Sequence, residues 1–179
     1  MGAALASLNP PKRIGLPMRL YFAGPLFTQA ERLWNHTIVQ GLRLAGHEVF
    51  LPQEAIAELE SLEAATIFEL DLDGVRAAEA LVAVLDGADP DSGTCFECGV
   101  AYALGRPIVA VRTDFRAGGD ALPGQKMPTI NLMLSQAVTE AIELVGPRTN
   151  PEAVVAAVLA ALDRVGQRLT NQSKSNFNH

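Results

Sequence analysis

Short apolar segments alternate with helical patterns along most of the chain, and this alternation limits the possible folds more than any other feature. Four such segments, rich in strand-forming residues, occupy residues 19–23, 47–52, 80–86 and 107–113. The last two, ALVAVLD and PIVAVRT, are apolar almost without interruption, which is typical of strands buried on both faces. The pattern therefore predicts a parallel sheet covered by helices on both sides.

The segments between the expected strands carry helix signals. TQAE at residues 28–31 has the form of a capping box, which predicts a helix that runs to about residue 45. A stretch rich in Ala, Glu and Leu predicts further helix over 53–78, with a break near residue 61. Two more helices are predicted in CFECGVAYALG and in PEAVVAAVLAALDRV.

The two ends of the chain differ from its middle. A chain of 179 residues with 49% apolar residues is long enough for one domain with a proper core, which we place at residues 18–166. Residues 1–17 are predicted to be a flexible leader. Residues 167–179 are polar and aperiodic, which predicts a frayed tail.

Composition argues against several functional classes. A net charge of −6 disfavours nucleic-acid binding, which needs a basic face. No apolar run approaches the roughly 18 residues of a membrane span, and no positively charged segment precedes the short apolar piece at the N-terminus. Two cysteines without a disulfide framework indicate a reducing compartment. We therefore expect a soluble, cytoplasmic protein with neither nucleic-acid nor membrane partners.

Three loops are expected to meet at one edge of the sheet, because ligands bind beyond the carboxyl ends of parallel strands. They are AGPLF (23–27), which supplies Gly24 and Phe27 as candidate substrate contacts, DGADPDSGT (86–94), and the loop 117–128. Acidic residues are frequent here and just upstream: Asp71, Asp73, Asp86, Asp89 and Asp91. Several carboxylates at one edge suit a reaction that passes through a cationic centre, such as glycosyl transfer.

The segment DSGTCFECG places Cys95 and Cys98 around Glu97, which allows more than one interpretation. A redox pair is disfavoured because an anion between the thiols raises their pKa. A zinc site is disfavoured because it needs about four ligands, and the histidines show no ligand spacing. We predict two small buried cysteines and no metal. Thr94 and Glu97 could form a helix capping box, or Glu97 could be a functional carboxylate.

The segments RLYFAGPLF, ELDLDG, DPDSGTCFECGVAYALGRPIVAV and TINLML resemble the nucleoside 2′-deoxyribosyltransferases, in the order and spacing of that family. The resemblance covers about residues 18–146. Together with the alternating pattern, it leads us to expect a doubly wound, flavodoxin-like α/β fold with a five-stranded parallel sheet and helices on both faces. It implies 2′-deoxyribonucleosides and free nucleobases as partners, with no cofactor.

The resemblance also implies catalytic roles. Glu97 would be the nucleophile that attacks the anomeric carbon, and Tyr21 would hold its carboxylate; otherwise Tyr21 is a core aromatic. Asp71 would donate a proton to the leaving base; otherwise it lies on an exposed helix face beside Asp73. We expect the helix N-terminus to lower the pKa of Glu97, and burial or Asp73 to raise that of Asp71.

Further residues would bind substrate. The resemblance implies that Asp91 accepts hydrogen bonds from the sugar and that Gln53, beside Glu54, contacts the base. Asn131 would contact the sugar in a neighbouring subunit, with Met133 near the base, so a homo-oligomer is expected.

Two other functions stay open. One is hydrolysis of deoxynucleoside 5′-monophosphates by related enzymes, which carry a small hydroxyl residue where this chain has Asp91. The other is a nucleoside-binding module without catalysis, which has no use for Glu97.

Overall fold

The computed structural model describes residues 16–116, 128–146 and 149–176. The first 15 residues of the predicted leader, most of the loop 117–128 and the last three residues lie outside them. The strands are β1 Arg19–Ala23, β2 Glu48–Phe50, β3 Ala80–Val84, β4 Ile108–Arg112 and β5 Glu140–Glu143. The helices are α1 Gln29–Leu44, α2 Pro52–Ala57, α3 Ala64–Ala77, α4 Ser92–Ala103, α5 Leu132–Ala137 and α6 Pro151–Asn176.

All neighbouring strands are parallel, and their order is β2-β1-β3-β4-β5. This is the order of a flavodoxin-like, doubly wound sheet, so the predicted fold class is confirmed. The four predicted strands are present within a few residues. The sequence pattern did not locate β5, because in this edge strand only Ile142 is buried and no apolar run marks it.

Alternation along β1 divides the core into two layers. Leu20 and Phe22 face one side of the sheet, where they pack with residues of α1 and α6. Tyr21 and Ala23 face the other side, where they pack with residues of α3 and α4. Tyr21 is therefore placed beneath α3 and α4 by its position in the strand alone.

The predicted helix signals are found at α1 and at the break between α2 and α3. The Thr28 hydroxyl accepts from the Glu31 N–H, and the Glu31 carboxylate accepts from the Thr28 N–H, which completes the capping box. The helical stretch predicted over 53–78 is interrupted at residues 58–63. After this break α3 starts at Ala64 and packs against β1 beside Tyr21.

The last helix differs from expectation. Residues 167–176, predicted as a frayed polar tail, continue α6 to Asn176. Leu169 lies four residues after the buried Val165 and packs against the same core, so one apolar stripe extends past the predicted end. None of the described helices is both long and apolar enough to cross a membrane.

Candidate active site

The candidate site lies where the strand order reverses, between β1 and β3. In a doubly wound sheet the loops beyond this point diverge to opposite faces and leave a crevice at the carboxyl ends of the strands. The loop after β1 and the start of α4 border this crevice, and both contain predicted site residues. Sheet topology therefore places the site before any side chain is considered.

A short hydrogen bond joins Tyr21 and Glu97 at this edge. The Tyr21 hydroxyl donates to Glu97 Oε1 at 2.5 Å, although the two residues are 76 positions apart. Tyr21 is fully buried, and burial followed by the charge of Glu97 raises the pKa of its hydroxyl far above the usual range. The hydroxyl consequently stays protonated, and as a hydrogen-bond donor it fixes the position of the Glu97 carboxylate.

Asp71 lies in the same pocket as Glu97. The pocket has a volume of about 140 Å³ and is otherwise lined mainly by apolar side chains of α3 and α4, such as Leu72 and Val100. Asp71 Oδ1 is buried and has no hydrogen-bond partner among the described residues. An unpaired oxygen in apolar surroundings favours the protonated carboxyl.

The pKa values of the two carboxyl groups are both raised. Burial raises the pKa of Asp71 to about 6, and the exposed Asp73 is not among the causes. Burial also raises the pKa of Glu97 to about 7; the Tyr21 hydrogen bond lowers it, while the charges of Asp71 and Asp91 raise it. The expected lowering of the Glu97 pKa is therefore wrong, because burial dominates and Glu97 lies in the second turn of α4, where the effect of the helix N-terminus has faded.

Asp91 caps α4. Its Oδ2 accepts from the Thr94 N–H at 2.8 Å and from the Thr94 hydroxyl at 2.9 Å. The alternative capping box between Thr94 and Glu97 is therefore wrong, since Thr94 is occupied by Asp91 and Glu97 by Tyr21. Asp91 Oδ1 has no protein partner in the part of the chain that the structure describes, so it is available to a ligand.

The predicted substrate contacts at the first loop border a wider cleft of about 600 Å³. Phe27 and Asp91 line this cleft, and Phe27 is 71% exposed. Gly24 does not line it; a Cβ atom at Gly24 would make an ordinary contact with Val84 at 3.4 Å, and its role as a substrate contact stays a prediction.

The Gln53 side chain is hydrogen-bonded to residues of α1. Its Nε2 donates to the Arg32 carbonyl at 2.9 Å, and its Oε1 accepts from Asn35 at 3.3 Å. The neighbouring Glu54 instead pairs with His36 and Arg43. Asn35 is a residue that the sequence analysis missed: it is buried, lines the wide cleft and donates to the Pro25 carbonyl at 2.9 Å. The sequence marks it only as an amide side chain in the middle of the α1 pattern.

Asn131 and Met133 lie elsewhere. Asn131 Oδ1 caps α5 by accepting from the Met133 N–H at 2.9 Å, and Met133 is 78% exposed. Both line a separate pocket of about 440 Å³ together with Asp89 and Cys95, and neither Glu97 nor Asp71 lines it. Within one chain, these two residues are not part of the Glu97 pocket.

The prediction of two buried cysteines is met by Cys98 and only in part by Cys95. Cys98 is buried and Cys95 half-buried, and both thiols are free. Burial is the main cause that raises the pKa of Cys95, and it raises that of Cys98 to about 12, with a smaller contribution from Glu97. Thiols of this kind are poor nucleophiles at neutral pH. No group of three or more His, Cys, Asp or Glu among the described residues could hold a metal ion.

One family model matches the chain: that of the nucleoside 2-deoxyribosyltransferases, over residues 20–133. The match spans every residue predicted above to act in catalysis or substrate binding. No curated protein matches the chain.

Solved structures share the fold. A 2-desoxiribosyltransferase from Leishmania mexicana is 26% identical, with a TM-score of 0.61 over 80% of this chain and 98% of that one. A 2-deoxyribosyltransferase from Bacillus psychrosaccharolyticus is 24% identical, with a TM-score of 0.58 over 79% and 95%. A conserved protein from Enterococcus faecalis V583 is 32% identical, with a TM-score of 0.60 over 79% and 96%.

Proposed function

The chain belongs to the nucleoside 2-deoxyribosyltransferase family, and we propose that it transfers a 2-deoxyribosyl group from one nucleobase to another through a covalent intermediate on Glu97. The observation that carries the proposal is the buried pair at the sheet edge: a carboxylate held by Tyr21 at 2.5 Å, with Asp71 in the same pocket. The activity is proposed as a retaining, ping-pong exchange.

In the first half-reaction, a Glu97 oxygen attacks C1′ of the nucleoside as the C1′–N bond breaks. The electron pair of that bond leaves with the base, which takes a proton from the Asp71 carboxyl. Positive charge that develops on the sugar is stabilised by the fixed Glu97 carboxylate in a pocket of low polarity. Tyr21 acts as a positioning donor and stays protonated throughout.

In the second half-reaction, a nitrogen of the incoming base attacks C1′ and the bond to Glu97 breaks. The proton of that nitrogen passes to Asp71, which restores both carboxyl groups to their starting states. Two displacements at one carbon give net retention of configuration. Water as the acceptor would give a free sugar, so exclusion of water from the pocket decides between transfer and hydrolysis.

The start of α4 supports a free nucleoside as substrate. Helix N-termini commonly bind phosphate groups through free N–H donors. Here Asp91 already takes the Thr94 N–H, and its carboxylate adds a negative charge that repels a phosphate. Asp91 Oδ1 is instead suited to accept a hydrogen bond from a sugar hydroxyl.

The decisive experiment is chromatography of the protein with thymidine, with and without added adenine. Deoxyadenosine that forms only with adenine is the expected result. Thymine released at the same rate in both reactions would replace the proposal with a hydrolase. If neither product forms, deoxyinosine as the donor separates a purine-specific enzyme from a binding module, which would form no product with either donor.

We also propose that the site is completed by a second copy of the chain. The Glu97 pocket of about 140 Å³ is small beside the roughly 300–1,000 Å³ of typical ligand sites. Asn131 and Met133 line a different pocket of their own chain and are exposed. Placed across a two-fold axis, they could close a neighbour's site over the sugar and base.

Mixing two inactive variants tests this arrangement. Glu97→Gln and Asn131→Ala should each lose activity, and co-refolded mixtures should recover about a quarter of wild-type activity, since half of the dimers are mixed and each has one intact site. Each variant refolded alone is the control. If Asn131 serves its own chain, the mixture should stay as inactive as its components.

A further inference from the structure

Gly74 of α3 lies against two stacked aromatic rings. A Cβ atom at this position would be 2.9 Å from Cδ1 and Cε1 of Phe50 and 3.0 Å from Cε2 of Tyr21. Atoms of a real side chain do not approach this closely, so α3 can reach β1 and β2 only because residue 74 has none.

The Tyr21 ring has little freedom to move aside, and the partly buried Phe50 ring is stacked on it. Phe50 and Tyr21 are directly paired residues of adjacent strands, and their rings stack with centroids 5.4 Å apart at an angle of 12°. Tyr21 is fully buried, and its hydroxyl is held by Glu97. By contrast, α3 has its outer face in solvent and buries only Gly74 and Val75 completely. An added methyl group at residue 74 would therefore displace the helix rather than the rings.

The position of α3 matters for the candidate catalytic groups. Asp71 precedes Gly74 by three residues and so lies on the same face of the helix. Close contact at Gly74 therefore sets how near Asp71 comes to Glu97. Helix α3 supplies Phe68, Leu72 and Val75 to the lining of the pocket, so the same contact also sets the position of this side of the pocket.

We propose that Gly74 is a positioning residue, whose missing side chain seats α3 on the Tyr21 and Phe50 rings and thereby sets the separation of Asp71 from Glu97. The catalytic consequence rests on the function proposed above. The contact itself does not, and it can be measured without turnover.

The primary test compares Gly74→Ala with Gly166→Ala. Both positions are inside helices, so alanine brings a similar gain in helix propensity. A Cβ atom at Gly166 meets nothing within 4 Å, which makes it the matched control. Measured quantities are kcat and KM for base exchange, the pH profile of kcat/KM, and the melting temperature.

Gly74→Ala is expected to lower kcat by about 10- to 100-fold, with KM within about threefold, because Asp71 is displaced from the leaving base. The acidic limb of its kcat/KM profile should move to lower pH. Burial is the main cause of the raised Glu97 pKa, and a displaced helix would admit water to this carboxyl group. Gly166→Ala should match the wild type. A Gly74→Ala enzyme with the wild-type kcat and pH profile would overturn the proposal, whatever its melting temperature.

A double-mutant cycle with Phe50→Leu tests the contact itself. Leucine removes the ring atoms that the new methyl group would meet, so Gly74→Ala should cost less in the Phe50→Leu background. Should Gly74→Ala alone fail to fold, recovery of folding in the double variant supports the contact. An equal cost in both backgrounds, or no folded double variant, argues against it.

A readout independent of turnover separates this inference from the proposed function. Titration of the Glu97 carboxyl carbon by NMR, assigned with Glu97→Gln, should give a lower pKa in Gly74→Ala than in the wild type. An unchanged pKa would overturn the positioning role even in an active enzyme. A wild-type protein without base exchange would overturn the proposed function, while this titration would still decide the role of Gly74.

Discussion

Replacement of Glu97 by glutamine is expected to lower kcat for base exchange by at least about 10³-fold, with little change in nucleoside affinity. Glutamine keeps the size of the side chain and an oxygen that can accept from the Tyr21 hydroxyl. The pocket should therefore keep its shape, while the charge that stabilises the sugar cation and the nucleophilic oxygen are both lost. Initial rates by chromatography and affinities by calorimetry measure the two effects separately.

Glu69→Gln is the matched control. Glu69 is on the exposed side of α3 and forms a 3.8 Å ion pair with Arg76, so its loss should change kcat by less than about twofold. A Glu97→Gln enzyme that still exchanges bases at the control rate would exclude the covalent mechanism. It would also favour the alternative of a nucleoside-binding module without catalysis, in which Glu97 has only a structural role.

Much of the fold is encoded locally. β3 is a continuous apolar run and β4 is one up to the buried Arg112, and the capping box at Thr28 fixes the start of α1. These features depend on residues that are neighbours in the sequence, and the three elements were predicted correctly. β5 and the end of α6 were not, because their burial depends on which distant residues cover them: β5 shows only one buried residue, and α6 keeps Leu169 against the core.

The candidate site shows the same division. Motif order identified Glu97, Tyr21 and Asp71 as candidates, and the structure places all three together. The direction of the Glu97 pKa shift was predicted wrongly, because the position of Glu97 in α4 is visible in the sequence while the cover supplied by α3 is not. Gly74 is visible in the sequence as a glycine inside a helical pattern, but the reason for a glycine there follows only from the distances to Phe50.

Asp71→Asn is the second change with a large expected effect. Asparagine has nearly the same shape but cannot transfer a proton to the leaving base, so kcat with thymidine should fall by about 10²- to 10⁴-fold. Asp73→Asn is the control: Asp73 is exposed, pairs with Arg76 at 2.8 Å, and should tolerate the change within about twofold.

The pH dependence of wild-type activity follows from the same two carboxyl groups. The nucleophile must be ionised, so wild-type activity is lost as pH falls through the raised pKa of Glu97, about 7. The acid must be protonated, so activity is lost as pH rises through the pKa of Asp71, about 6. The nucleophile has the higher pKa of the two, so only a minor fraction of the enzyme holds an ionised Glu97 beside a protonated Asp71 at any pH. Because the carboxyl groups are coupled, the wild-type profile should be a narrow bell whose two limbs belong to the pair.

Asp71→Asn should remove the alkaline limb and shift the acidic one. Activity that remains should rise with pH and stay high, because no group has to remain protonated. The charge of Asp71 raises the pKa of Glu97, so the acidic limb of the variant should report Glu97 alone, with a pKa below about 7. An alkaline limb that persists in Asp71→Asn would assign the acid to another group.

The leaving group provides the sharpest test of Asp71. A 7-methylated 2′-deoxyguanosine already carries the positive charge that protonation would supply, so its base can leave without an acid. Asp71→Asn should therefore break down this donor at a rate near that of the wild type, while Glu97→Gln should fail with both donors. If the variant is equally slow with the methylated donor, Asp71 acts on substrate binding, and its buried, unpaired oxygen is a contact to the base rather than a source of protons.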